Sequence, residues 1–177
     1  MSQLSAQGPI IAPAATSIVS DSLQLPVGTR MRDVSGNEFV YVQTGQTFGI
    51  GQWVSLLPDF TACGGVSVST RGPIGVIAQA ATSDQYVWVQ IYGIYTDAQI
   101  GTSSFTSAYH LAAPTGATTE SALIASSTDN VANAVINAWL TSADNTTDAT
   151  STIMTGYRAT VVLNYPSLVG TTIKATT

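Results

Sequence analysis

Acyl-transfer chemistry needs a base beside its nucleophile, and this chain holds a single histidine, His110, within Ser107-Ala108-Tyr109-His110-Leu111. Any serine or cysteine nucleophile would have to pass its proton to that one ring. No nucleophile elbow accompanies it, and Cys63 lies in a glycine-rich stretch without a flanking signature. One histidine and one cysteine fall short of a zinc ligand set. Asp144-Asn145-Thr146-Thr147-Asp148 offers oxygens but lacks the alternating acids and closing glutamate of an EF-hand, so it reads as a solvated turn. Gly45-Gln46-Thr47-Phe48-Gly49-Ile50-Gly51 lacks the Lys-Ser/Thr ending of a phosphate loop and leads into a strand. Opposed carboxylates can cleave glycosides, yet no acid here sits in a setting that would raise its pKa. The expectation is a chain that is not an enzyme and carries no metal and no cofactor.

Composition points elsewhere. Only 8% of the 177 residues are charged while 45% are hydrophobic; an ordinary soluble domain is roughly 25% charged. Threonine, serine, alanine and glycine fill the gap, and lysine occurs once, as Lys174. So little charge implies a surface that spends much of its life against other protein. The net charge is −5, and Arg30, Arg32, Arg71, Arg158 and Lys174 are scattered. Nucleic-acid binding needs clustered cations to displace counterions, so none is expected. No apolar run is long enough for a membrane helix. The first residues carry neither the charge nor the apolar run of a secretory signal, and a lone cysteine cannot close an internal disulfide. A cytoplasmic folding environment is therefore expected.

The positioning elements read as β-structure. Residues 1–26 form an extended arm, with Pro9, Pro13 and Pro26 and spaced apolar residues: Ile10, Ile11, Ile18, Val19, Leu23 and Leu25. A single β domain spans 27–177. Val27–Val34 alternates, Ser35-Gly36-Asn37 reads as a tight turn, and Glu38–Gln43 alternates back. Gln52–Leu56 is a further strand, ended by Pro58. The strongest hairpin joins Ile74–Ala80 to Gln85–Tyr92 through Thr82-Ser83-Asp84. Val87, Val89 and Ile91 fall on one face of its second strand, and Tyr86, Trp88 and Tyr92 on the other. Two apolar faces imply cover on both sides, with the aromatic face facing either the chain's own core or another subunit. Segment 97–157 is loop-rich, rich in Thr and Ser, and insertion-like. Within it Val131, Val135 and Trp139 fit helical spacing and alternation equally; the polar turn after Leu140 favours a strand. Arg158–Tyr165 is the closing strand, stopped by Pro166. Short strands and frequent turns predict an all-β fold, a compact β-barrel or β-sandwich of short antiparallel strands with an extended N-terminal arm.

Three stretches, in order, resemble the decoration (cement) proteins of tailed-phage capsids. Gly28-Thr29-Arg30-Met31-Arg32-Asp33-Val34-Ser35-Gly36-Asn37-Glu38-Phe39-Val40-Tyr41-Val42 is similar to their opening. Ile74-Gly75-Val76-Ile77-Ala78 and Gln85-Tyr86-Val87-Trp88-Val89-Gln90-Ile91-Tyr92-Gly93 are similar to their central hairpin. Val161-Val162-Leu163-Asn164-Tyr165-Pro166 is similar to their closing strand. The resemblance implies a virion protein on the outer face of the head, assembled in the host cytoplasm. Its partners would be the major capsid protein and copies of itself as a homotrimer, with neither nucleic acid nor membrane contacted directly. Contacts are expected from Ile10, Ile11, Ile18, Val19, Leu23, Leu25, Tyr86, Trp88 and Tyr92. A second expectation keeps the virion and changes the task. Segment 97–157 would form a projecting tip, as in head fibres or tail-associated adhesins, and bind host glycans through Tyr109 or Trp139.

Overall fold

The computed structural model describes residues 19–60, 63–66, 72–100, 110–112, 124–126, 130–131, 135–147, 157–168 and 173–174. Among these every regular element is a β-strand: β1 Arg30–Arg32, β2 Glu38–Gln43, β3 Trp53–Leu56, β4 Cys63–Gly65, β5 Gly72–Ile77, β6 Tyr86–Ile100, β7 His110–Ala112, β8 Ile124–Ser126, β9 Asn130–Val131, β10 Val135–Thr147, β11 Tyr157–Leu168 and β12 Ile173–Lys174. One antiparallel sheet runs in the order β1-β2-β6-β11-β5-β3-β4, with β10 added to β11. Small two-stranded sheets pair β7 with β8 and β9 with β12. The chain is all-β, as expected. The main sheet is open, however, so its pairing completes neither the barrel nor the sandwich that the short strands suggested.

Local chemistry accounts for the hairpins. In the β1–β2 turn, Asp33 Oδ1 accepts from the Ser35 and Asn37 amides, each at 2.9 Å, and Asn37 Nδ2 donates to Asp33 Oδ2 at 2.9 Å. A short acid bonding its own downstream backbone is an Asx turn. Before β6, Asp84 takes a positive φ of 65°, and Thr44 Oγ1 donates to the Thr82 and Gln85 carbonyls at 2.6 and 2.9 Å.

Two cores share one wall. Alternation along β3 sends Trp53 one way and Val54 and Leu56 the other. In β5, Ile74 and Val76 join Trp53, while Ile77 joins Val54. The first core is completed by Ala98, Ile100, Leu140, Val161 and Leu163, and the second by Val40, Val42, Phe48, Val87, Val89 and Ile91. Strand β6 serves both, passing from the second core to the first at Gly93. That residue has φ 98°, and a Cβ there would run into Asn37, so only glycine fits the crossing.

Strand β11 does not stop at Pro166. It continues to Leu168 by bending: Tyr165 has φ 54°, and opposite it Asn137 of β10 has φ 61°. Ile136 pairs with Ser167 and Ala138 with Leu163, so Asn137 alone faces Asn164, Tyr165 and Pro166. Inside such a bulge no ladder bond is required of the proline nitrogen. Beyond the bend, β11 leaves β6 and pairs with β5 through Ser167–Pro73 and Leu168–Gly72. Strands β5 and β6 are themselves paired at Val76–Gln90 and Ile77–Val89. The three strands therefore meet as a fork, with β11 turning at its apex.

Segment 97–157 is more ordered into strands than its composition implied. Strand β6 runs on to Ile100, and β10 covers Val135–Thr147, which settles the choice between helix and strand.

Candidate interaction surface

The β6–β11–β10 half of the sheet buries one face and exposes the other. Leu140, Val161 and Leu163 point into the first core, so their neighbours Trp139 and Val162 point away from it. Register then lines up one row across three strands: Trp139 pairs with Val162, and Val162 with Ile94. Trp139 is 48% exposed and Ile94 57%, with Val162 half-buried between them. Two rings extend the row. Tyr92 pairs with Asn164, and the Tyr92 and Tyr165 centroids lie 5.3 Å apart. Both rings are exposed, at 37% and 43%. The polar neighbours are uncharged: Thr96, Asn164, Thr160 and Thr141, whose Oγ1 donates to the Thr160 carbonyl at 3.1 Å.

Charge gathers at one end of this face. Glu38 is held from two sides, by Arg32 and by the Tyr165 hydroxyl, which donates at 2.6 Å. The Arg30 guanidinium lies 5.9 Å from the Tyr165 ring centroid, within range of a cation–π contact. Arg158, further back along β11, is nearly buried. It donates to the Ile50 and Asp97 carbonyls at 2.8 and 3.0 Å, with the Asp97 carboxylate 3.5 Å away.

The aromatic face of β6 divides. Trp88 is only 3% exposed and packs with Phe39 and Tyr41, closed over by Leu25, Met31, Ala78 and Tyr86. Of the two settings expected for this face, Trp88 takes the chain's own core: β1, β2 and residues before β1 cover it. Tyr86 is half-buried and stacks on Tyr41 at 5.9 Å. Burial raises the Tyr41 hydroxyl above the ordinary tyrosine range, the Gln24 backbone pulling partly back and Tyr86 adding to the rise. Tyr92 lies outside that cluster and packs instead against Tyr165 on the outer face.

Of the arm residues, Val19 packs on the second core and Leu25 on the Trp88 cluster. Ser20 bridges to Tyr86: its amide donates to the Tyr86 carbonyl at 3.1 Å, and its carbonyl accepts from the Tyr86 amide at 2.8 Å. The end of the arm is thus sewn to the domain. Leu23 points outward at 56% exposure. Ile10, Ile11, Ile18 and Tyr109 lie outside the described residues. Sequence reasoning missed Ile94, Val162 and Tyr165 as surface residues. Their only local signal was an apolar residue on the face opposite the core positions of a strand. Among the described residues no group of three or more His, Cys, Asp or Glu side chains could hold a metal ion. The chain matches no known protein family, no curated protein and no solved structure.

Proposed function

We propose that this chain is a structural virion protein that binds the outer surface of a tailed-phage head and stabilises it by bridging neighbouring major capsid proteins. The observation that carries the reading is the exposed row Trp139–Val162–Ile94, flanked by Tyr92 and Tyr165, in a chain with 8% charged residues. Contiguous exposed apolar surface rimmed by neutral polar groups is what a protein interface requires. A head under internal pressure is held by many distributed contacts, which an exposed apolar sheet face supplies. The net charge of −5 favours a place away from packaged DNA. The family resemblance supports the same reading, with a homotrimer as the bridging unit.

The experiment adds purified protein to heads that lack it. The parent chain should bind and protect them against heat and osmotic shock. The Trp139→Asp, Ile94→Asp double variant should keep its far-UV circular dichroism and fail to bind. Complete and depleted heads that survive heat equally would end the bridging idea. The half-exposed ring of Trp139 favours one further reading, host-glycan binding by ring stacking. Glycan-array binding lost on Trp139→Ala would replace the first reading.

A further inference from the structure

The fork has an opening. Where β11 turns away from β6 toward β5, the strands diverge and leave a cavity of about 140 Å³. Its base is apolar, formed by Val40, Leu56 and Ile91 of the second core. Its polar lining comes from Arg30 and Ser167, with Tyr165 between the fork and the outer face. Arg30 is exposed and, among the described residues, has the Tyr165 ring as neighbour but no carboxylate. Glu38, on the neighbouring strand β2, is already held by Arg32 and the Tyr165 hydroxyl. The chain thus places an uncompensated cation beside an apolar socket, in a protein with twice as many acids as bases.

We infer that this cavity is a binding site for an apolar carboxylate: a compact aromatic or branched aliphatic group seated in the fork, its anion on the Arg30 guanidinium. Size fits the claim, since an apolar cavity of about 150 Å³ accepts benzene. Charge fits it too. A guanidinium beside a ring offers paired N–H donors to a carboxylate. The Ser167 hydroxyl, half-buried in the lining, supplies a neutral donor. Two sources share this chemistry: a free carboxylic acid, and the C-terminal residue of a protein chain. The inference does not rest on the virion reading, although Arg30 and Tyr165 belong both to the cavity lining and to the edge of the outer face.

The test is a nuclear magnetic resonance titration of the full chain with phenylacetate and with its neutral isostere phenylacetamide, at low salt. Phenylacetate should shift the amides of Ile91, Tyr165 and Ser167 and bind at least about tenfold more tightly than the amide, the difference one charged pair makes. Arg30→Gln, at an exposed position, should erase that preference while leaving the spectrum of the cores unchanged. A plug variant, Ser167→Phe, should abolish binding of both probes; retention of the parent amide pattern checks its fold. A peptide ending in phenylalanine, as free acid and as amide, separates the sources. Tighter binding of the peptide acid than of phenylacetate assigns the site to a chain terminus, and weaker binding assigns it to a free acid. Shifts scattered away from the fork, equal binding of acid and amide, or no binding at millimolar probe would overturn the inference.

Discussion

Tyr95 provides a sharp quantitative test of how the two cores meet. It packs against the first core, and its hydroxyl donates to the Ile77 carbonyl at 3.3 Å, reaching across to the shared wall. Burial, seconded by the Asp97 charge, pushes its pKa from 10.0 up to about 12, against smaller opposing pulls from Arg158 and the Gly51 backbone. Between those values the unfolded chain releases the phenolic proton and the folded chain keeps it. The stability from this group is therefore whole below pH 10 and drains away as pH climbs toward 12. By about pH 11 the loss is about 1.4 kcal/mol, from roughly 1.4 kcal/mol per pKa unit. Tyr95→Phe removes this loss and costs about 1 kcal/mol at neutral pH for the missing hydrogen bond. Urea denaturation followed by circular dichroism should then show the variant weaker than the parent at about pH 8 and equal or stronger at about pH 11. Parallel decline of the two proteins over that interval would refute the argument, because it would mean the hydroxyl ionises as readily in the fold as in the open chain.

Other substitutions test other joints. Gly51→Ala should destabilise by about 2 kcal/mol or more. Its φ is 79°, and a Cβ would stand 2.5 Å from the Arg158 guanidinium that anchors this turn; a loss under about 0.5 kcal/mol in urea would count against that tight contact. Trp53→Phe should cost about 2–3 kcal/mol, since it leaves a void in the first core and removes the indole N–H donated to the Gln99 carbonyl at 3.1 Å. Asp33→Ala should lower thermal stability by about 1–2 kcal/mol through loss of the turn bonds, and Asp33→Asn should restore part of it; equal loss in both would mean that charge, not turn geometry, is what matters.

Much of this architecture was readable locally. The Ser35-Gly36-Asn37 and Thr82-Ser83-Asp84 turns carry bonds between near neighbours in sequence, and the strand from Tyr86 shows its two faces in its own alternation. What was hidden depends on distant partners. Pro166 looked like a terminator because its tolerance is supplied by Asn137, far back in the chain. Trp88 looked available because Phe39, Tyr41 and Leu25 cover it from other segments. Strand β6 was cut short at Tyr92 because Thr96 and Asp97 interrupt its apolar pattern, whereas register with β11 carries it on to Ile100. The exposed row was half visible: Trp139 stood out, but its alignment with Ile94 is a matter of register across β11, which no single stretch encodes.

The wall formed by β3 and β5 has a mechanical consequence. Because Trp53 and Val54 are adjacent residues committed to opposite compartments, loosening either compartment slackens the strand that props up the other. Melting of one compartment thus loosens the other, and the two cores are expected to unfold together.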